Sequence, residues 1–255
     1  MTNNIDRVLR ERKGIQLMTH VVAGYPSLDM NVELIRLMAK HGVRLVEIQI
    51  PFTDPLADGP TIMRANQAAL DQGITPDHCF ELGAALAKEL PDMGFIFMTY
   101  ANIPFAMGMD HFLDRTAASG ASGVILPDLA WDEPGGDYAD LARERGLHPI
   151  MVISPDTEEA RLEKILTRAS GLLYTTLKVG ITGAGATLDQ GGLDYVRDLK
   201  KKAGLPIAAG FGISSPEHVA MLRGLADVAV MGSHILNLLD HQGLEAVQDF
   251  LAACG

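Results

Sequence analysis

At 255 residues, with 47% hydrophobic and 21% charged side chains, the chain has the size and apolar content of one large, well-cored α/β domain spanning residues 1–255. A formal charge of −11 without a compensating Lys/Arg patch argues against a nucleic-acid or acidic-membrane partner, so an anionic ligand must be held by local donors. Cys79 and Cys254 lack metal-ligand spacing, the polar start Met1–Lys13 is no signal peptide, and no apolar run spans a bilayer; a cytoplasmic protein is expected.

Residues 5–12 form a short amphipathic lead-in helix, and Gly14 opens a first strand over Ile15–Ala23. Ser27 is placed to cap a helix whose face carries Met30, Leu34, Leu37 and Met38 and which stops near Gly42. Strand two, Leu45–Ile50, runs into a loop containing Pro51, Pro55 and Pro60. A helix through Ile62, Ala65 and Ala69 ends at Gly73, and Thr75-Pro76 starts another. Phe95–Thr99 is strand three, Met109–Ala118 a helix, Val124–Leu126 strand four, and Tyr138–Arg145 a helix ended by Gly146. Strand five is Pro149–Ile153, and Asp156-x-x-Glu159 has the form of a capping box for a helix reaching Arg168. Strand six, Leu172–Thr176, leads into the Gly-rich loop Gly180–Ala186. A helix over Leu193–Lys202, strand seven at Ile207–Ala209, a helix over Pro216–Leu222 and strand eight at Val228–Met231 precede the closing helical segments.

Eight short apolar strands alternating with amphipathic helices imply parallel strands covered on the outside, in a (β/α)8 barrel or in an open doubly wound sheet. In such barrels phosphate is often held by the loops after strands seven and eight and by a nearby helix N-terminus. Here those loops are Gly210-Phe211-Gly212-Ile213-Ser214 and Gly232-Ser233-His234, with Gly180-Ile181-Thr182-Gly183 after strand six. Glycines let backbone N–H groups approach phosphate oxygens, and the helix end adds partial positive charge. Each cluster alone could be a turn; together they predict a phosphorylated small-molecule substrate without fixing a reaction.

Glu47 is an acid inside an apolar, β-branched strand. Strand alternation puts Glu47 and Gln49 on one face, and a barrel turns that face to the lumen. Desolvation there disfavours a charged carboxyl, as suits a group that must both give and take a proton. Asp58, on the following loop, can meet a ligand N–H. The residues also allow a salt-bridged Glu47 and an Asp58 that merely caps the helix opening at Pro60.

The segment Glu47-x-x-Ile50-Pro51-Phe52-Thr53-Asp54-Pro55-Leu56-Ala57-Asp58-Gly59-Pro60-Thr61 closely resembles the signature of the tryptophan synthase α chain. The likeness continues through Ala23-Gly24-Tyr25-Pro26, Tyr100-Ala101-Asn102, Pro127-Asp128-Leu129, Gly180-Ile181-Thr182-Gly183-Ala184, Gly210–Ser214 and Gly232-Ser233. The resemblance implies a (β/α)8 barrel that cleaves indole-3-glycerol phosphate to indole and glyceraldehyde 3-phosphate in tryptophan biosynthesis. It implies that the chain needs no cofactor, and that indole passes through a tunnel to a β chain carrying pyridoxal phosphate, in an α2β2 tetramer. Carried over, Glu47 is the general acid/base and Asp58 the partner of the indole N–H. Tyr174 is the active-site tyrosine, and Tyr100 and Phe211 are pocket walls. Thr182 orients Asp58 from a closing loop around residues 178–190, and Gly183, Gly212, Gly232 and Ser233 contact phosphate.

Several positions depart from that pattern. Gln49 stands where glycine is usual, and His20 where an aromatic or apolar residue is. Thr176, Leu177 and Lys178 replace an apolar residue and a Ser-Arg pair, and Ala130 with Trp131 alters a stretch that faces the β chain in the family. A buried Gln49 needs partners, and His20 and Glu47 are the nearest candidates, so the three are expected to form one network. Remaining readings are a free-standing lyase, a catalytically poor subunit that activates a β chain, and a different phosphosugar isomerase on the same barrel.

Overall fold

The computed structural model describes residues 3–129, 137–177, 189–210 and 212–255. The strands are β1 (Gln16–Val22), β2 (Leu45–Gln49), β3 (Gly94–Met98), β4 (Gly123–Ile125), β5 (His148–Pro149), β6 (Met151–Ile153), β7 (Leu173–Thr176), β8 (Ile207–Gly210) and β9 (Val228–Met231). Their order is β5-β4-β3-β2-β1-β9-β8-β7-β6, and all the pairings are parallel. Only Ile150 separates β5 from β6, so the two ends of the sheet are halves of one strand. The sheet thus comes round on itself as a (β/α)8 barrel, and the open doubly wound alternative is set aside.

The helices are α1 (Asn4–Glu11), α2 (Leu28–Lys40), α3 (Pro60–Asp71), α4 (Pro76–Glu89), α5 (Asn102–Met107), α6 (Met109–Ala118), α7 (Tyr138–Glu144), α8 (Glu159–Arg168), α9 (Gln190–Ala203), α10 (Pro216–Leu222) and α11 (Ser233–Cys254). None among the described residues is long and apolar enough to cross a membrane. Strand alternation sorts the side chains into two cores. Residues such as Val46, Ile48, Phe95 and Phe97 meet the helices, while Met18, Leu45, Ile96, Met98, Ile125, Ala208 and Val230 fill the lumen. Helix α1 closes the lower end, because Ile5, Val8 and Leu9 join the lumen cluster. The Asn3 side-chain amide fastens it by donating to the Ser122 and Gly146 carbonyls. The lumen therefore opens to ligands at the C-terminal ends of the strands.

Ser27 caps α2 by accepting from the Met30 N–H, and Thr75 with His78 forms a capping box on α4. The box expected at Asp156-x-x-Glu159 does not form. Ser154 N–H instead donates to Thr157 Oγ1, Thr157 N–H to the Ser154 carbonyl, and Ser154 Oγ to Asp156. That tight turn delays the helix to Glu159, with Glu158 at the cap. Helix α5 was not expected from the sequence. Pro104 suits it because a first-turn proline gives up no intrahelical bond, and Gly108, at φ 85°, ends it.

Candidate active site

β2 delivers two polar side chains to the lumen, and β1 delivers a third beside them. His20 is paired in register with Glu47, and Val22 with Gln49. Glu47 and His20 are each 6% exposed and Gln49 is 0% exposed, so none can rely on bulk water for hydrogen bonds. His20 Nδ1 lies 3.1 Å from Glu47 Oε1, and His20 Nε2 lies 2.8 Å from Gln49 Oε1. Gln49 Nε2 donates to Asp58 Oδ2 over 2.7 Å. The expected network of His20, Gln49 and Glu47 thus exists with a different wiring. Gln49 reaches His20 and Asp58, and Glu47 is joined to it through the imidazole.

Asp58 is 6% exposed despite lying on a loop. The loop is pinned from several sides: Asp58 N–H donates to the Pro55 carbonyl, Ala57 N–H to the Tyr100 hydroxyl, and Phe52 N–H to Asn66 Oδ1 on α3. Phe52 stacks on Tyr100 with ring centroids 5.6 Å apart. Helix α3 takes Gly59 as its cap without a side-chain bond. Asp58 therefore does not act as a helix cap, and its carboxylate turns inward.

Burial raises the Asp58 pKa, and the His20 charge with bonds from Gln49 and Tyr100 offsets that only in part. Burial opposes protonation of His20, but Glu47, with Asp58 and Gln49 adding to it, outweighs burial and raises the imidazole above its ordinary value. Burial, with Glu47 and Asp58 adding, pushes the Tyr174 phenol upward. The Tyr100 phenol is raised as well, chiefly by burial. Both phenols are therefore held in the neutral form.

Tyr174 enters the lumen from β7 and leans along the neighbouring strand β8, where Gly210 makes room for it. A Cβ on Gly210 would lie 2.9 Å from the tyrosine Cζ. Thr176 follows on the same face, buried, and its hydroxyl has no hydrogen-bond partner among the described residues. Leu177 packs in the strand–helix core and so faces away from the lumen. At the other side, Gly212 adopts φ 81° beyond β8, and Gly232 leads from β9 into Ser233, the first residue of α11. A Cβ on Gly232 would come within 3.3 Å of His20 Cβ, so the candidate phosphate loop packs directly against the polar chain. Thr182, Gly183 and Phe211 lie outside the described residues, as do Ala130, Trp131 and Lys178.

The sequence reading did not single out Asn66, Phe52 or Asp128 as supports. Asp128 accepts from the Ala101 N–H, fixing the chain just after Tyr100. Asn66 had a legible signal: it interrupts the inner stripe Ile62, Ala65, Ala69 of α3, where a polar side chain must find a partner.

Two buried carboxylates at the C-terminal mouth of a parallel barrel, beside glycine loops and a helix N-terminus, are the constitution of a phosphosubstrate (β/α)8-barrel enzyme. The comparisons with known proteins make the class specific. The tryptophan synthase alpha chain family model matches residues 7–253. The tryptophan synthase alpha chain of Syntrophotalea carbinolica is 41% identical over 240 residues, which cover 94% of each chain. A chain of a Mycobacterium tuberculosis tryptophan synthase structure superposes with a TM-score of 0.90 at 26% identity, covering 100% of this chain and 97% of that one. A chain from a structure of the Pyrococcus furiosus tryptophan synthase a2b2 complex gives a TM-score of 0.85 at 26% identity, covering 94% and 97%. The chain belongs to the tryptophan synthase alpha chain family, carbon–carbon lyases of tryptophan biosynthesis that cleave indole-3-glycerol phosphate.

Proposed function

We propose that Glu47 and Asp58 divide the retro-aldol cleavage of indole-3-glycerol phosphate between them. Glu47 protonates indole C3, which turns the ring into an electron sink. It then takes the proton of the glycerol hydroxyl as the C–C bond breaks and the bonding pair returns to the ring. Asp58 accepts from the indole N–H and stabilises the positive charge that develops there. The observation that supports this most is the meeting of the two acids at one buried chain, Glu47 from β2 and Asp58 from the pinned loop.

Tyr174 and Tyr100 wall the ring, with Phe211 completing the pocket. Gly212, Gly232, Ser233 and Gly183 hold the phosphate, so that the reacting bond is positioned by a group remote from it. Thr182 orients Asp58 from the closing loop. The whole chain works as one domain in the cytoplasm and needs no cofactor. Indole leaves to a β chain that carries pyridoxal phosphate, in an α2β2 assembly. The a2b2 complex named for the Pyrococcus furiosus relative supports that partner.

Adding a tryptophan synthase β chain is expected to raise indole-3-glycerol phosphate turnover and to shift the chain to a larger species in sedimentation. A rate and a mass both unmoved by saturating β chain would contradict the partnership and favour a free-standing lyase.

A further inference from the structure

The buried chain at the mouth has a direction. A carboxylate can only accept, so Asp58 Oδ2 commits the amide nitrogen of Gln49, at 2.7 Å. The amide oxygen is left to face His20 Nε2 at 2.8 Å and requires a proton on that nitrogen. The second ring nitrogen, Nδ1, meets Glu47 Oε1 at 3.1 Å. An imidazolium donates at both ends: to Glu47 directly, and toward Asp58 through the amide. The charged groups facing it are Glu47 from β2 and Asp58 from the following loop. Among the described residues, Tyr174 from β7 and Tyr100 beyond β3 are neutral phenols, and Gly232, just after β9, lies against the His20 side chain.

We propose that His20 and Gln49 are positioning residues, a shared cationic bridge that couples the two acids of this site. The proposal rests on the lyase reading and deepens it. When Glu47 gives its proton to indole C3, it becomes an anion near the anion of Asp58. The carboxylate that forms and the His20 imidazolium one hydrogen bond away stabilise each other, and the ring keeps its own proton. Gln49 fixes the ring and holds the Asp58 oxygen, so the two acids are set in one geometry before substrate arrives. Gly232 lies beside the His20 Cβ, at the start of the loop proposed to receive phosphate.

The sign of the pH dependence follows. His20 is raised, so it keeps its charge to higher pH than an ordinary histidine and loses it as pH climbs through its folded value, giving a decline in kcat on the alkaline side. Its charge also opposes the upward push of burial on Asp58. Replacing the imidazolium by a neutral side chain must move the acidic limb to higher pH and remove the alkaline decline.

The test is His20→Gln with Gln49→Met, compared with wild type in full pH profiles of kcat and kcat/KM for indole-3-glycerol phosphate. Both variants should lose on the order of tenfold to a hundredfold in kcat at neutral pH, the size of one hydrogen bond to a charged group. KM should change little, because the phosphate anchor is intact, and the acidic limb of His20→Gln should shift upward. An unchanged profile for His20→Gln would overturn the bridge. Independently of any activity, NMR titration of the wild-type His20 ring should report a value above that of an ordinary histidine. Asp58→Asn should lower it, because the Asp58 charge acts on the ring, and Gln49→Met should lower it separately by removing the partner of Nε2. A ring that titrates at or below the ordinary value, or ignores Asp58→Asn, contradicts the coupling. A wild type that releases no indole but passes the titration would sink the lyase reading and leave the bridge standing.

Discussion

Glu47→Gln is expected to lower indole release from indole-3-glycerol phosphate by about 10²–10⁴-fold, the range a positioned general acid–base supplies, while the barrel still folds. The amide is nearly isosteric and its oxygen can accept from His20 Nδ1, where the carboxylate oxygen now lies at 3.1 Å. The amide cannot carry a proton to C3 or receive one from the glycerol hydroxyl. The loss should fall on kcat, since the phosphate loops are untouched. Circular dichroism and thermal melting should show native structure, and single-turnover mixing separates slow chemistry from slow release. A variant within tenfold of wild type would remove Glu47 from the chemistry.

Asp58→Asn carries the second large effect, a loss of roughly 10²–10³-fold, the scale of one electrostatic group aimed at developing charge. The substituted side chain keeps an oxygen to accept from Gln49 Nε2 and can remain in the turn made by the Pro55 carbonyl. It loses the negative charge that must balance the protonated indole ring. Asp58 is raised by burial, so in wild type activity should fall as pH drops through that raised value and the carboxylate is neutralised. In Asp58→Asn that acidic limb should be absent while the rate is uniformly low. Persistence of the same limb in the variant would assign it to another group.

The barrel was legible because its determinants are local and periodic. Strands such as Leu45–Gln49 and Gly94–Met98 are buried on both faces, and the helices between them carry one apolar stripe each. The features that escaped depend on competition within a few residues. Ser154 and Thr157 outbid Asp156 for the turn before α8, and a proline in the first turn disguised α5. The site followed the same division. Period-two alternation brought Glu47 and Gln49 to one face, and register brought His20 beside them. The bond from Gln49 to Asp58 could not be read, because a loop has no period and its path is set by Asn66 and Tyr100, which come from other elements.

His20 and Gln49 satisfy each other's hydrogen bonds, which accounts for a buried imidazole and a buried amide in one apolar lumen. Thr176 has no such compensation among the described residues, and nothing in the structure explains its buried hydroxyl.

The most direct test is product formation by the wild-type chain alone. Incubated with indole-3-glycerol phosphate and no β chain, it should release indole and glyceraldehyde 3-phosphate in equal amounts, detected by chromatography and by a coupled dehydrogenase assay. Failure to form both products, at any pH and with native structure verified, would contradict the account.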